Sequence, residues 1–592
     1  MISTIIVWGF LAAVSLPPGA ALAARDRTGN FWLSIWCGLF LQAFFLQVLS
    51  ATLPLYPWGL IAMSGVALLA LPLSWRTLVA WTCEIRRSQW PAPIAIIVVV
   101  IAIAYIETGR IIYYDSGLYH IPFMRWLSQD GLVPGLGLFQ IHFSVPSDWF
   151  ALAATFDAGP LSGYLAAAAN GYVVLLMAGQ ALDSAWQLRT RRGSLSHRII
   201  FIGFGVLLAQ SIVAGTALSA SPDLPVSTVT VLLGWVMLQD SASRREDHRH
   251  HFFIVGFLAA ISVALKLSAA PLLVVTGIFC AWHLKKSPGV LLGVGLLVVV
   301  ILLPNVYASL LLSGCPAFPS TFACLDLPWT VPSSAAQDFQ NAVARFARWY
   351  GQPVQSSGAW SWIIPYLTHS GNRLNTVFMP AGIVAILATL LISRIRRTAF
   401  RGARSWIFGL ACVDFLFVAI WAPDERFAIG AIALLVVPVA SAFFFMPSAE
   451  ADDVSIPIVR HPTSIQLISF ALLFSLIAIA YRVLVVEPLD ARRWAGQAYG
   501  PALASDLTVP LSERWLTPPS LPVVYGTTRT RQNELLQLDP RSSADVVYGA
   551  PPLGDQCWGI AIPCSAALTA PLRLRVPARG PSSGFVRADR SD

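Results

Sequence analysis

Charge is what this sequence has least of. Only 12% of its 592 residues are Asp, Glu, Lys or Arg, against about 25% in an ordinary globular protein. With 56% hydrophobic residues and a mean hydropathy of +0.67, too little polar side chain remains to wet a soluble fold of this length. A soluble enzyme, a disordered regulator and a fibrous protein are excluded. Internal repeats and low-complexity tracts are also missing. The apolar N-terminus, residues 1–24, lacks the basic start of a signal peptide, although Ala21-Leu22-Ala23 resembles a cleavage site. It reads as a first membrane helix.

What is present is a series of long apolar runs, so the fold class is an all-α polytopic membrane protein. Runs at 2–24, 31–53, 58–80, 93–107, 160–182, 198–218, 224–239, 252–267, 270–284, 288–312, 373–393, 405–421, 427–446 and 465–484 predict about 14 helices. Several fall short of the roughly 20 residues of a straight span, which is tolerated where a helix is broken or lines a cavity. The net charge of +9 does not point to nucleic acid, because the basic residues are scattered in short clusters between apolar runs. Arg86-Arg87, Arg189 to Arg192, Arg244-Arg245, Lys285-Lys286 and Arg394 to Arg404 all fall on one side of the predicted helices, as the positive-inside rule requires of cytoplasmic loops.

That orientation divides the chain. Residues 1–107 hold the first helices, 108–159 form a large outer loop, and 160–312 hold the central helices. A second outer loop covers 313–372, the last helices 373–485, and a small extramembrane C-terminal domain 486–592 faces outward. Two close cysteine pairs, Cys315/Cys324 and Cys557/Cys564, lie in these outer segments. They are disulfide candidates in an oxidising compartment. The other cysteines lie in or beside helices as small apolar residues.

The scarce acids gather on the same face. The first outer loop carries Tyr113-Tyr114-Asp115-Ser116-Gly117-Leu118-Tyr119-His120. The apolar spacing from Gly117 to Gln129 predicts an interfacial helix with Asp115 at its start. There Asp115 would cap the helix, or take a proton from a hydroxyl, or bind a divalent cation such as Mg or Mn. His120 and His142 lack a metal-ligand spacing such as His-x-x-x-His, so zinc is not expected, though they could hydrogen-bond phosphate. Asp223 lies in the short link Ser221-Pro222-Asp223, and Asp424 and Arg426 in Pro423-Asp424-Glu425-Arg426. Lys266 interrupts an apolar run, where it would snorkel to the interface or face a polar cavity. Carboxylates with a lysine and an arginine suit a lipid phosphate meeting a hydroxyl acceptor.

A helix bundle whose first large outer loop bears an acidic motif and an interfacial helix resembles the GT-C glycosyltransferases. The chain also resembles a largely uncharacterised family of bacterial membrane proteins with GT-C-like architecture. That likeness rests on the order of Asp115-Ser116-Gly117-Leu118-Tyr119-His120, Pro134-Gly135-Leu136-Gly137 with His142, Ser221-Pro222-Asp223-Leu224-Pro225 and Lys266-Leu267-Ser268. It continues through Ser313-Gly314-Cys315-Pro316, Ala422-Pro423-Asp424-Glu425-Arg426-Phe427 and Gly554-Asp555-Gln556-Cys557-Trp558 to Gly584-Phe585. The resemblance implies a bacterial inner-membrane enzyme with a periplasmic site. It would transfer a sugar from a polyprenyl-phosphate donor to a glycan or lipid acceptor, among membrane lipids and without nucleic acid. Asp115 would be the catalytic base. Lys266 and Arg426, with His120 or His142, would steady the departing phosphate. Asp223 and Asp424 would orient sugar or acceptor, and Tyr119 would line the same subsite. The alternatives are a transporter or flippase of lipid-linked saccharides, a polysaccharide polymerase, and a non-catalytic envelope scaffold.

Overall fold

In the computed structural model of the chain, helices occupy most of the apolar runs, and among the described residues β-structure is confined to the C-terminal segment. The structure describes residues 1–444 apart from breaks at 24–29, 88–90, 109–110, 112, 163–164, 190–193, 240–247, 350–359, 369–372 and 396–401. Beyond these it describes 539–543, 546–550, 556–557 and 562–589. The expected helix at 465–484 and much of the tail lie outside the described residues.

The first helices are α1 (Ile2–Ala23), α2 (Phe31–Ser50), α3 (Trp58–Arg87) and α4 (Pro91–Glu107). In the segment 108–159, a π turn at Ser116–His120 runs straight into α5 (Ile121–Gln129). There follow α6 (Leu136–Phe139), a 3-10 turn at Ile141–Ser144 and α7 (Asp148–Phe156). The central helices are α8 (Ala168–Arg189), α9 (Leu195–Ala214), α10 (Asp223–Gln239), α11 (His248–Leu265), α12 (Ala270–His283) and α13 (Pro288–Ser313). In the segment 313–372 lie α14 (Ser333–Trp349) and α15 (Ile363–Thr368), followed by α16 (Arg373–Ile395), α17 (Ala403–Trp421) and α18 (Glu425–Phe444).

Among the described residues seven helices, α1, α2, α3, α9, α13, α16 and α17, are long and apolar enough to cross a membrane. Shorter apolar helices occur at α4, α10, α11 and α12. This is the architecture of a membrane protein, because most of the chain's apolar surface is arranged as long helices. The run expected at 160–182 begins later, since a turn at Gly159–Leu161 precedes α8. That helix carries polar side chains with assigned partners: Gln180 Oε1 accepts from Trp36 Nε1 (2.8 Å) and Asp183 Oδ2 from Trp32 Nε1 (3.0 Å). They tie α8 to α2 at the expense of its hydropathy.

The expected amphipathic helix is α5, but it has little free face. Only Arg125 and Gln129 escape burial along it, because α7 packs on one side and the 55–56 backbone bonds to Leu127 and Ser128 carbonyls (2.9 and 3.1 Å) on another. The tail closes a third side. Its strands β1 (Asp539–Ser543) and β2 (Val546–Ala550) pair antiparallel, as do β3 (Leu572–Leu574) and β4 (Phe585–Arg587). Phe585 N donates to Pro134 O (2.9 Å) and Thr569 N to Leu138 O (3.0 Å). The Phe585 ring stacks on Phe139 with centroids 5.3 Å apart. Gly135 and Gly584 both take positive φ, and a Cβ on either would strike the backbone of the other segment. Cys315 is bonded to Cys324 and Cys557 to Cys564.

Candidate functional site

Three chain breaks and one loop converge at the ends of α10, α11 and α18. The α17–α18 link is turned by Asp424, whose Oδ1 accepts from Arg426 N (3.2 Å) and so caps the first turn of α18. The link into α10 is built from serines: Ser219 Oγ accepts from Ser221 N (3.0 Å), and Ser221 Oγ from Asp223 N (3.3 Å). Asn170 of α8 holds that link from below, donating to Thr216 O and Ser221 O (2.9 and 3.1 Å) while accepting from Trp149 Nε1 (2.6 Å). Between α11 and α12 the backbone becomes extended at Lys266 (φ −158°, ψ 123°). Ser147 Oγ donates to Leu265 O (2.6 Å) and Asn305 Nδ2 to Ala264 O (2.9 Å), satisfying carbonyls freed at the end of α11.

These links present one ionic lattice. Arg426 Nη1 donates to Asp115 Oδ2 (2.6 Å) and to the Tyr113 hydroxyl (2.7 Å). Its Nε lies 3.4 Å from Asp424 Oδ2. Tyr113 in turn donates to Asp223 Oδ2 (3.5 Å), and Asp223 Oδ1 is paired with Lys266 Nζ. Both cations rest on the Phe427 ring, Lys266 at 3.7 Å and Arg426 at 4.8 Å from its centroid. Asp115 and Arg426 are each 19% exposed and Lys266 23%, so the lattice is half sunk yet reachable from outside.

Asp115 does not cap its helix: its carboxylate makes no bond to the first turn and faces Arg426 instead. Burial is the largest influence and opposes its ionisation, but Arg426 together with the nearby His120 and His142 holds the carboxyl below its ordinary value. Burial pushes the Tyr113 hydroxyl well up, so it stays protonated and can donate to a carboxylate. Lys266 pairs with Asp223 rather than snorkelling alone.

The structure therefore brings Asp115, Asp223, Lys266, Asp424 and Arg426 together. Tyr119 and His142 form a neighbouring aromatic pair, stacked with centroids 5.1 Å apart, and Phe339 of α14 meets His142 edge-on at 5.2 Å. His120 is placed differently from the expectation that it touches phosphate. It is 1% exposed, enclosed by Tyr113, Tyr119 and Phe150. Burial holds its pKa down to about 4. Its Nδ1 lies 3.5 Å from both Ser116 Oγ and Ser219 Oγ, so it braces the loop as a neutral ring.

Several members escape sequence reasoning. Tyr113 is the hub between Arg426 and Asp223, and only its place two residues before Asp115 hinted at it. Asp148 is buried with Oδ1 accepting from Asn305 Nδ2 (3.3 Å), and burial raises its pKa to about 8. Glu425 accepts from Gln210 Nε2 (2.9 Å). Among the described residues no three His, Cys, Asp or Glu side chains are grouped as metal ligands. The carboxylates that would take Mg or Mn are engaged by Arg426 and Lys266, so the donor set does not fit a cation. An apolar cavity of about 560 Å³ between α11, α12 and α13 is lined by residues such as Gly256, Thr276 and Cys280, and none of the lattice residues borders it.

Residues 1–433 match the family described as a domain of unknown function (DUF8201), and the chain belongs to that family. No curated protein and no solved structure matches the chain.

Proposed function

We propose that this chain is an integral-membrane glycosyltransferase of the bacterial inner membrane. It takes a sugar from a polyprenyl-phosphate-linked donor and passes it to an envelope glycan or lipid acceptor at the periplasmic face. About 14 helices would cross the bilayer, leaving the three outer segments together. One observation carries the reading: a carboxylate, Asp115, shares a partly exposed lattice with Arg426 and Lys266, although these come from segments far apart in the chain.

In this reaction the acceptor hydroxyl gives its proton to Asp115 as its oxygen attacks the anomeric carbon. The bond from that carbon to the phosphate oxygen breaks, and the electron pair leaves with the polyprenyl phosphate. Attack from the opposite face inverts the sugar. Arg426 and Lys266 counter the charge that builds on the leaving phosphate. A carboxylate held by Arg426 is a weak base. A donor phosphate competing for the guanidinium loosens that grip, so Asp115 gains basicity when the donor is bound. Asp223 and Asp424 accept sugar hydroxyls, and Tyr119 with His142 offers a stacking face.

The test is transfer from a synthetic polyprenyl-phosphate sugar by purified protein in lipid nanodiscs. Asp115→Asn keeps the shape and removes the base, and a loss of about 10²–10⁴-fold is expected. Full transfer by a folded Asp115→Asn protein removes Asp115 from the mechanism. A second reading, a lipid-saccharide flippase, is favoured by Asp148, a buried carboxyl whose bond to Asn305 links it to the end of α11. Such a group can carry a proton. Lipid scrambling in proteoliposomes without any sugar transfer would select that reading.

A further inference from the structure

We infer that Gln556 is a positioning residue for Asp115, and that the C-terminal strap described at 556–557 and 562–587 is a wall of the site. This inference rests on the reading of Asp115 as the base. Gln556 is fully buried, and its Nε2 donates to Tyr114 O at 2.7 Å across 442 residues of chain. A buried amide donor needs an acceptor, and Gln556 Nε2 meets that need at the carbonyl directly before Asp115. Asp115 makes no side-chain bond to its own helix. Its carboxylate is set by Arg426 from α18, and its backbone is held by Gln556 from the opposite end of the chain.

The strap is anchored well enough to act as a reference point. Next to Gln556, Cys557 is bonded to Cys564. Gly549 N donates to Pro563 O and Ser565 N to Gly549 O, both at 3.0 Å, which fastens the disulfide loop to β2. Farther along, Thr569 and Phe585 bond the backbone at Leu138 and Pro134, and Trp126 meets the Phe585 ring edge-on at 6.1 Å. The strap thus grips the outer loop on both sides of Tyr119 and His120. Arg587 N reaches a third segment at Pro328 O (3.0 Å). All of these strap residues lie beyond the 433 residues that match the family, so the strap is a part of the site that membership of the family does not describe.

The deciding variant is Gln556→Glu in the full chain. It keeps shape but sets an oxygen against the Tyr114 carbonyl. A displacement of about 1 Å at a reacting group costs roughly 10²-fold. We expect kcat for sugar transfer to fall about 10- to 100-fold, with the donor KM changed less than about twofold. Carbodiimide labelling of Asp115, read by mass spectrometry, should rise severalfold while labelling of Asp223 stays constant. Val547→Ala, on the exposed face of β2 to which the strap is fastened, is the control and leaves both readouts unchanged. If Gln556→Glu does not fold, Cys557→Ser with Cys564→Ser loosens the same anchor and must shift both readouts in the same direction. Unaltered kcat and unaltered Asp115 labelling overturn the inference. If Asp115→Asn retains full transfer, the base assignment fails instead, and labelling alone judges the strap.

Discussion

Neutralising Asp115 and removing the Arg426 guanidinium should have strongly non-additive effects on stability. The two groups meet at 2.6 Å, with each side chain about a fifth exposed. Coulomb's law at an effective dielectric near 20 gives a gross attraction of about 6 kcal/mol at that distance. Desolvation of two half-sunken ions cancels much of it, leaving about 1.5–3 kcal/mol for a charged hydrogen bond of this geometry. Asp115→Asn alone keeps an oxygen for Arg426 and should cost about 1–2 kcal/mol. Arg426→Gln alone strands the Asp115 and Asp424 carboxylates and should cost about 3–5 kcal/mol. With both changes, the stranding of Asp115 is relieved while that of Asp424 remains, so the double variant falls short of the sum by about 2 kcal/mol. Titration with SDS in mixed micelles, followed by tryptophan fluorescence, supplies the three free-energy differences. A coupling below about 0.5 kcal/mol, the scatter of independent sites, would refute the ion pair and the lattice built on it.

The pH profile of stability should carry two opposed slopes. Burial keeps His120 neutral with a pKa of about 4, so stability is lost as pH falls from about 6.5 towards 4. Burial raises Asp148 to about 8, so the folded acid keeps its proton and stability is lost as pH climbs from about 4 through 8. His120→Gln should flatten the acid side. Asp148→Asn should stabilise most above pH 8 and have no effect near pH 4, and the reverse order would refute the burial argument. Alkylation after denaturation should modify Cys37, Cys83, Cys280 and Cys412 without reductant and all 8 cysteines with it. More than four modified thiols before reduction would contradict the two disulfides. Sidedness is tested with a membrane-impermeant maleimide on spheroplasts: Val547→Cys, at a site 67% exposed, should react and Cys83 should not. Reaction at Cys83 alone would invert the proposed orientation.

The helices were legible because length and apolarity are local properties. The runs at 31–53, 288–312 and 405–421 become α2, α13 and α17 with shifts of a few residues. The start of α8 was not legible, because the alanines at 166–169 suit a helix or a turn equally, whereas the chain turns at Gly159–Leu161 before the helix begins. Asp223, Asp424, Arg426 and Lys266 stood out because charge is rare here and each sits at a chain break. Their partners did not stand out. Nothing local says that Asp115 forgoes its own helix end for a guanidinium 311 positions away. Nor does sequence say that His120 turns inward among Tyr113, Tyr119 and Phe150. Strands of three residues, such as β3 and β4, are too short for an alternation of two to register.

The scarcity of charge has a further consequence at the site itself. Within the lattice, Asp115, Asp223 and Asp424 outnumber Lys266 and Arg426, and each cation already has a carboxylate partner. A ligand phosphate cannot simply add to such a site, because it would bring more negative charge into a half-desolvated place. It must replace a carboxylate at one of the two cations. Lys266 is the poorer candidate, since Asp223 is buried and has only Tyr113 besides Lys266 among the bonds described. Arg426 is the better one: a guanidinium carries five donors, its Nη1 serves both Asp115 and Tyr113, and its Nε stands 3.4 Å from Asp424. Asp115 is as exposed as Arg426 and can turn to solvent or to an acceptor hydroxyl once released. The residue that gives way to the phosphate is then the one that needs its basicity restored. In the proposed transfer, recognition of the donor and activation of the acceptor would then be a single exchange of hydrogen bonds at Arg426.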